Sequence, residues 1–248
     1  MPTHPAPATW PALLRQGRWF AALPPARQQA LLERGQPLRL EAGQTLFHRG
    51  DANAGLYAVL GGAMQIGAVD AQGRELMLGL LEPPQWFGEI ALFDDGPRTH
   101  DAVARSATLL LRVPREVVQR LLDEDALWWR CLGQLLAEKT RALFIGLEDL
   151  AALPAPQRIA RRLLALADGH GMRAPGQARR ELAVNQEQLG AMLALTRQTV
   201  SEVLRDFESR GWVHRGYGRI GLLDPPALAA MAASGQPPGN QRPSTPPG

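Results

Sequence analysis

The polar side chains between Thr196 and Glu202 are of the types that hydrogen-bond to the edges of nucleic-acid bases. Apolar residues at Val200, Leu204 and Phe207 recur at a spacing of four and then three, which predicts one buried stripe along a helix. Such a helix turns its polar side outward at its first turn. That side is formed by Thr196, Arg197, Gln198, Thr199, Ser201 and Glu202.

The residues before this helix complete a helix-turn-helix pattern. Apolar residues between Leu189 and Leu193 predict a preceding helix, and Ala194 and Leu195 predict the turn. Thr196 is expected to be the N-cap of the second helix, because its hydroxyl can accept from an N–H that the helix leaves unbonded. A recognition helix for DNA requires this exposed polar first turn. An ordinary corner of two packed helices is the alternative.

A hairpin is predicted directly after the second helix. Residues 212–223 read as two short strands that turn at 216–218, which is the arrangement of a wing. Arg215 and Arg219 flank the tip, where they would either contact phosphates or keep the surface hydrated. The alternative of a plain helical corner does not explain this hairpin.

The net charge of +3 is unevenly distributed along the chain. Residues 153–224 contain 11 arginines and 7 acidic residues, a net charge of +4. Residues 1–152 contain 15 basic and 17 acidic residues, a net charge of −2. The excess of positive charge therefore coincides with the helix-turn-helix, where phosphate contacts would need it.

A second group of polar residues lies between residues 87 and 104. Gly88 and Gly96 bracket a short helical turn, and Arg98 and Thr99 follow it. Free N–H groups, one guanidinium and one hydroxyl can together hold a phosphate. The same residues would also suit a surface turn, with Glu89 as a solvated acid.

Two larger elements must position these groups. Residues 38–113 alternate short apolar segments with glycine, and turn signals recur about every 8 to 12 residues, as in a β-sandwich or barrel. One hairpin tip is expected at residues 70–73. Residues 126–152 then predict a helix of roughly 40 Å. Its seam resembles that of a coiled coil and contains Leu132, Leu136, Leu143, Leu147 and Leu150. We predict that it dimerises rather than packing only on its own domain.

Several classes of protein are disfavoured by the composition. Cys131 is the only cysteine, so neither a disulfide framework nor a cysteine-ligated metal centre is expected within one chain. The five histidines are scattered without metal-ligand spacing, and no catalytic constellation is evident. No apolar run reaches the length of a membrane span, and no signal pattern opens the chain, so a cytoplasmic protein is expected.

From about Gly43 to Leu223, the chain resembles the Crp/Fnr family of transcription regulators. The resemblance rests on glycines in the roll, the segment 87–99, the opening of a helical domain at 158–160, and the segment 196–200. It implies an α+β fold with an antiparallel β-roll of the jelly-roll, cyclic-nucleotide-binding type, a long dimerisation helix and a C-terminal winged helix-turn-helix. The predicted division is a tail at 1–22, the roll at 23–122, the dimerisation helix at 123–153, the DNA-binding domain at 154–232 and a disordered tail at 233–248.

The resemblance also implies roles for the segment at 87–99. In relatives that bind cyclic AMP, a glutamate holds the ribose while an arginine and a hydroxyl hold the cyclic phosphate, roles that Glu89, Arg98 and Thr99 match. The positions that face adenine hold Leu143 and Phe144, which cannot hydrogen-bond to a base edge. The prediction is therefore a regulator without a certain cofactor, with a cyclic nucleotide as one candidate effector and an effector-independent regulator as the alternative.

The implied partners are double-stranded DNA with a palindromic site, a second copy of the chain and RNA polymerase, and no membrane. At the start of the recognition helix, Arg197 should pair with guanine and Gln198 should favour adenine, whereas Glu202 cannot donate to guanine. A half-site different from TGTGA is therefore predicted. A cupin-type metalloenzyme and a ligand-binding module that has lost DNA binding are the remaining alternatives.

Overall fold

The computed structural model describes residues 5–69 and 75–234. Its helices are α1 (Trp10–Leu14), α2 (Arg18–Ala22), α3 (Pro25–Arg34), α4 (Arg115–Glu124), α5 (Leu127–Ala152), α6 (Ala155–Ala167), α7 (Gln186–Leu193), α8 (Arg197–Ser209) and α9 (Pro225–Ala233). Its strands are β1 (Gln36–Leu40), β2 (Thr45–Phe47), β3 (Gly55–Gly61), β4 (Met64–Val69), β5 (Glu75–Leu81), β6 (Trp86–Phe87), β7 (Asp101–Ala104), β8 (Thr108–Pro114), β9 (Glu181–Leu182), β10 (Val213–Gly216) and β11 (Arg219–Leu222). The predicted hairpin tip at 70–73 lies outside the described residues.

Strands β1 to β8 form the predicted roll from two antiparallel sheets of four strands. Their orders are β1-β8-β3-β6 and β2-β7-β4-β5. Strand β3 is a nearly continuous apolar run because both of its faces are buried. Tyr57 and Val59 pack between the two sheets, whereas Leu56, Ala58 and Leu60 pack on the helices outside.

The N-terminal helices α1 and α2 form part of that outer layer. Trp10, Leu14, Trp19 and Phe20 are buried in the same cluster as β3. The Trp19 and Phe20 rings lie 5.2 and 5.7 Å from the Trp86 ring. The segment 1–22, predicted as an N-terminal tail with a short helix beginning between Trp10 and Phe20, thus contributes buried residues, because the apolar outer face of the first sheet needs this cover.

Helix α5 spans the predicted long helix and divides into two halves. Trp128, Cys131, Leu132 and Leu135 are buried, since the first half packs on the roll. The second half is exposed between Leu143 and Leu150. The predicted seam is thus wrong at Leu132, which belongs to the core of its own domain.

Helices α6 to α9 and a sheet in the order β10-β11-β9 form the C-terminal domain. Its core includes Ile159, Leu163, Val200 and Phe207, all fully buried. Met77 and Leu80 of β5 belong to the same cluster, so this domain also rests on the roll. Helix α9 extends to Ala233, and residues 235–248 of the predicted tail lie outside the described part of the chain. Within 5–69 and 75–234, no helix is long and apolar enough to cross a membrane.

Candidate nucleic-acid interface and effector site

The turn between α7 and α8 is fixed by local features of the sequence. Asn185 caps α7 and forms a reciprocal capping box with Gln188. Ala194 adopts the left-handed conformation at φ 52°, which ends the helix. A Cβ atom at Gly190 would lie 2.7 Å from the carbonyl oxygen of Leu195, so only glycine allows the turn to approach α7 this closely.

Thr196 is the N-cap of α8, as predicted. Its Oγ1 accepts a hydrogen bond from the backbone N–H of Thr199 at 3.1 Å. The two threonine hydroxyl groups also lie within 2.9 Å of one another. Val200, Leu204 and Phe207 are fully buried on the opposite side, so the polar first turn of α8 faces away from the core.

The outer face of α8 forms a shallow groove with α7. The side chains of Arg197, Gln198 and Glu202 are exposed, and those of Thr199 and Ser201 are partly so. The Gln198 Nε2 donates to Glu202 Oε1 at 3.0 Å. The groove is lined by Gln186, Arg197, Gln198, Ser201, Glu202 and Arg205.

Gln186 and Arg205 of this groove were not among the predicted DNA-binding residues. Arg205 lies eight residues after Arg197, which places it two helical turns along the same face. That spacing alone would have been enough to place Arg205 beside Arg197 on the exposed face of α8. Gln186 belongs to the other helix, so its place in the groove depends on the packing of α7 against α8.

The two arginines of the wing both have partners within the protein. The Arg215 guanidinium contacts the Glu208 carboxylate at 2.7 Å, and the exposed Arg219 lies 3.3 Å from Glu181. Arg215 therefore joins β10 to α8. The two predicted roles, a phosphate contact or a hydrated surface side chain, did not include this ion pair.

At the other predicted site, Arg98 is turned into the roll. Its side chain is 4% exposed, and its Nη1 and Nη2 donate to the carbonyl oxygens of Gly88 at 3.0 Å and Gly55 at 2.8 Å. The guanidinium lies 4.4 Å from the centre of the Phe47 ring. Burial lowers the pKa of Arg98, against the opposing influence of Tyr57.

Glu89 is also buried, and its partner comes from α5. The Lys139 Nζ lies 2.7 Å from Glu89 Oε2, and Glu89 is only 2% exposed. Lys139 is the only lysine in the chain, and it was not among the residues predicted for this site. A contact between residues fifty positions apart leaves no local signal.

Of the remaining predicted residues of this site, Gly88 is half-buried, whereas Thr99, Leu143 and Phe144 are on the surface. Thr99 is exposed, and its Oγ1 lies 2.9 Å from His100 Nδ1. Asp101 accepts from the backbone N–H of Arg49 at 2.7 Å. Leu143 and Phe144 are 65% and 61% exposed on α5, about one turn after Lys139.

Both halves of the chain match known protein families. Residues 37–125 match the cyclic nucleotide-binding domain, and residues 157–231 match the Crp-like helix-turn-helix domain. The cyclic AMP receptor protein of Thermus thermophilus is 31% identical over 86% of this chain and 95% of its own length. The chain belongs to the Crp/Fnr family of transcription regulators.

Two further relatives agree with this assignment of the regulator. The CRP-like cAMP-activated global transcriptional regulator of Mycobacterium tuberculosis is 29% identical over 89% of this chain and 98% of its own length. The crystal structure of a CRP/FNR family regulator from Thermus thermophilus is 30% identical, covers 79% of this chain and 98% of its own, and superposes with a TM-score of 0.59. The predicted family, fold class and function as a DNA-binding regulator are therefore confirmed.

The cupin-type alternative has no candidate metal site in the described residues of the regulator. No group of three or more His, Cys, Asp or Glu side chains there could hold a metal ion. The groups predicted to hold a cyclic nucleotide have partners within the protein or lack polar atoms. Glu89 and Arg98 are buried and bonded within the protein, and Leu143 and Phe144 offer no hydrogen bonds to a base.

Proposed function

We propose that this regulator acts as a homodimer on a palindromic DNA site. The observation that carries this proposal is the exposed apolar second half of α5, which includes Leu143, Phe144, Ile145 and Leu147. Exposed apolar surfaces of this kind are covered by a partner, and a second α5 is the matching element. Two copies would present two recognition helices to successive major grooves about 34 Å apart.

The polar face of α8 supports a distinct half-site preference. Arg197 is exposed at the first position of α8, where it can donate to N7 and O6 of guanine. Gln198 follows it, and an amide pairs with adenine. Glu202 accepts hydrogen bonds only, so it favours cytosine over guanine. We therefore expect a half-site that differs from TGTGA.

We further propose that DNA binding does not require cyclic AMP. Lys139 is bound to the Glu89 carboxylate that would otherwise hold a ribose. The Arg98 guanidinium donates to two backbone carbonyl oxygens. A nucleotide would have to break these contacts and would find apolar side chains at Leu143 and Phe144. Each lost hydrogen bond to a base costs about 1 kcal/mol.

One set of measurements on the full chain tests these points. Binding-site selection should return a two-fold related sequence without added nucleotide, and a return of the unchanged TGTGA/TCACA palindrome would refute the proposed half-site. Thermal-shift measurements with cyclic AMP, cyclic GMP and cyclic di-GMP should leave the melting temperature unchanged, since a ligand bound near saturation raises it. Tighter DNA binding with cyclic AMP would refute independence from that effector.

The variants Lys139→Ala and Lys139→Arg test why a cyclic nucleotide does not bind. Either the Lys139–Glu89 ion pair blocks the site, or the site has no affinity for the nucleotide. The alanine variant frees Glu89, whereas the arginine variant keeps a cation beside it. If only Lys139→Ala gains a thermal shift with a cyclic nucleotide, the ion pair is what excludes that ligand.

We expect RNA polymerase to be a further partner of the regulator. We expect its location to be the cytoplasm, where the operator lies.

A further inference from the structure

One carboxylate joins the recognition helix to the wing. Glu208 lies in the last turn of α8, and Arg215 lies on β10. The Glu208 Oε1 accepts the backbone N–H of Arg215 at 2.8 Å, and Oε2 accepts Nε of the same residue at 2.7 Å. The Arg215 Nη2 also lies 2.7 Å from Oε2. Both oxygens of the carboxylate are thus committed to one residue of the wing.

The environment of this pair favours its charged form. The hydrogen bonds from the Arg215 backbone and side chain lower the pKa of Glu208. The ring of His214 faces the same carboxylate, with Nδ1 3.8 Å from Oε1. The pair is about one-third exposed, with side chains 28% and 31% accessible, and a fork of two N–H groups holds its geometry. To reach a phosphate, the Arg215 guanidinium would have to leave this carboxylate.

The tip of the wing presents a different kind of side chain. Tyr217 is fully exposed, and it is the most exposed of the large apolar and aromatic side chains in the described residues. It lies between Gly216 and Gly218, and Gly218 adopts φ 69°, as a tight hairpin requires. The neighbouring Arg219 lies 3.3 Å from the exposed Glu181. A ring with a terminal hydroxyl can pack against sugars and donate to a phosphate.

We propose that Glu208 and Arg215 are positioning residues that set the wing against the recognition helix, and that Tyr217 is the residue through which the wing contacts DNA. Arg215 then acts through the placement of the tip rather than through a phosphate. The inference goes beyond the half-site and effector proposals, and it requires only that α8 binds DNA.

The first test measures the affinity of the full chain for its selected operator across a range of salt concentrations. Arg215→Ala and Glu208→Gln should each weaken binding roughly threefold to tenfold, and the double variant should be no weaker than either one. The slope of log Kd against log salt should stay that of the parent. A lost phosphate contact would instead reduce the slope by about 0.9 per contact.

Two further variants make this test decisive. Arg215→Lys keeps the charge but loses the planar fork, so it should bind as weakly as Arg215→Ala. Asp206→Asn, which removes another acid of α8 and releases its partner Arg210, is the control for the loss of an ion pair elsewhere on this helix. A reduced salt slope in Arg215→Ala together with rescue by Arg215→Lys would overturn the positioning role. Tighter binding by Glu208→Gln would also overturn it, because that variant frees Arg215.

The second test concerns the tip. Tyr217→Ala should weaken operator binding roughly fivefold to tenfold without changing the salt slope or the melting temperature, since the ring has no packing to lose within the protein. Tyr217→Phe should keep most of the affinity. Parental affinity of Tyr217→Ala would overturn the contact. Arg197→Ala serves as the reference: if the parent binds DNA no better than this variant, DNA recognition by α8 itself has failed.

Discussion

Arg197 is the residue on which base recognition depends most. It is exposed at the first position of α8, directly after the Thr196 cap that fixes the start of the helix. Arg197→Ala should cost about 1–3 kcal/mol of operator binding and relax the preference for guanine at one position. Arg197→Lys should keep affinity for nonspecific DNA but lose the bidentate pairing. Selection experiments with each variant measure both effects, and an equal loss on every sequence would contradict the assignment.

His170 makes the stability of the fold depend on pH. Burial, aided by the nearby Arg162, lowers the pKa of its imidazole from 6.5 to about 4. The unfolded chain therefore binds this proton more readily, and stability is lost as the pH falls from about 6.5 towards 4. Between pH 7 and pH 5 we expect the free energy of unfolding to fall by about 1–2 kcal/mol through this group.

His170→Asn isolates that contribution in denaturant titrations at the two pH values. Asparagine tolerates the positive φ of 59° at this position and has no titrating proton in this range. Burial raises the pKa of the neighbouring Asp168, which makes the protein more stable as the pH falls. The parent and His170→Asn share this effect, so it cancels in their comparison. If the parent and His170→Asn lose equal stability on acidification, the histidine is not responsible.

At the scale of elements, helix α5 should dimerise through its second half. Leu147 is 61% exposed in one chain, so Leu147→Glu should leave the fold of the monomer intact. In a dimer it would bury an unpaired charge, at a cost of about 3–5 kcal/mol. Sedimentation velocity at micromolar concentration should then show a monomer. Glu148→Gln, on the exposed neighbour, should remain dimeric, and a dimer of Leu147→Glu would exclude this seam.

The elements that the sequence revealed are those with a regular apolar period. The periods of α5, α7 and α8 and the glycine-bounded hairpin of the wing were sufficient to predict these elements. A short helix was expected between Trp10 and Phe20, but the place of α1 and α2 in the core was not, because both are short and no apolar period marks a buried face. Their burial depends on Trp86 and on the outer face of a sheet far along the chain.

The candidate sites also combine features set by neighbouring residues with contacts between distant parts of the chain. The N-cap Thr196 is a local feature, and its role could be predicted from its neighbours. The partners of Glu89 and Arg215 could not, because Lys139 is fifty residues away and the Glu208 pairing needs the wing to fold back on α8. Residue types indicated the chemistry of each site, but only the fold shows which charges already neutralise one another.

At the scale of the whole molecule, the loop 168–180 ties the DNA-binding domain to the roll and to the N-terminal helices. The backbone N–H of Arg18 donates to Met172 at 2.8 Å, and that of Ala174 donates to Gln16 at 2.7 Å. Arg179 lies 2.8 Å from Glu82. These contacts give the helices α1 and α2 a second role beyond covering the sheet, since they connect the two domains.

Arg173 is the centre of this interface. It is 5% exposed, its Nη2 donates to the carbonyl oxygen of Pro83 at 2.5 Å, and burial lowers its pKa to about 10. Arg173→Ala should lower the free energy of local opening by about 1–3 kcal/mol, because the Pro83 carbonyl oxygen loses its shorter hydrogen bond and keeps only the one from Arg179 Nη2 at 3.1 Å. Hydrogen exchange should then accelerate at the amides of Arg18 and Ala174 while the core amides of the roll keep their protection. Arg180→Ala, on an exposed neighbour, should leave both rates unchanged, and parental rates in Arg173→Ala would show that this arginine does not hold the domains together.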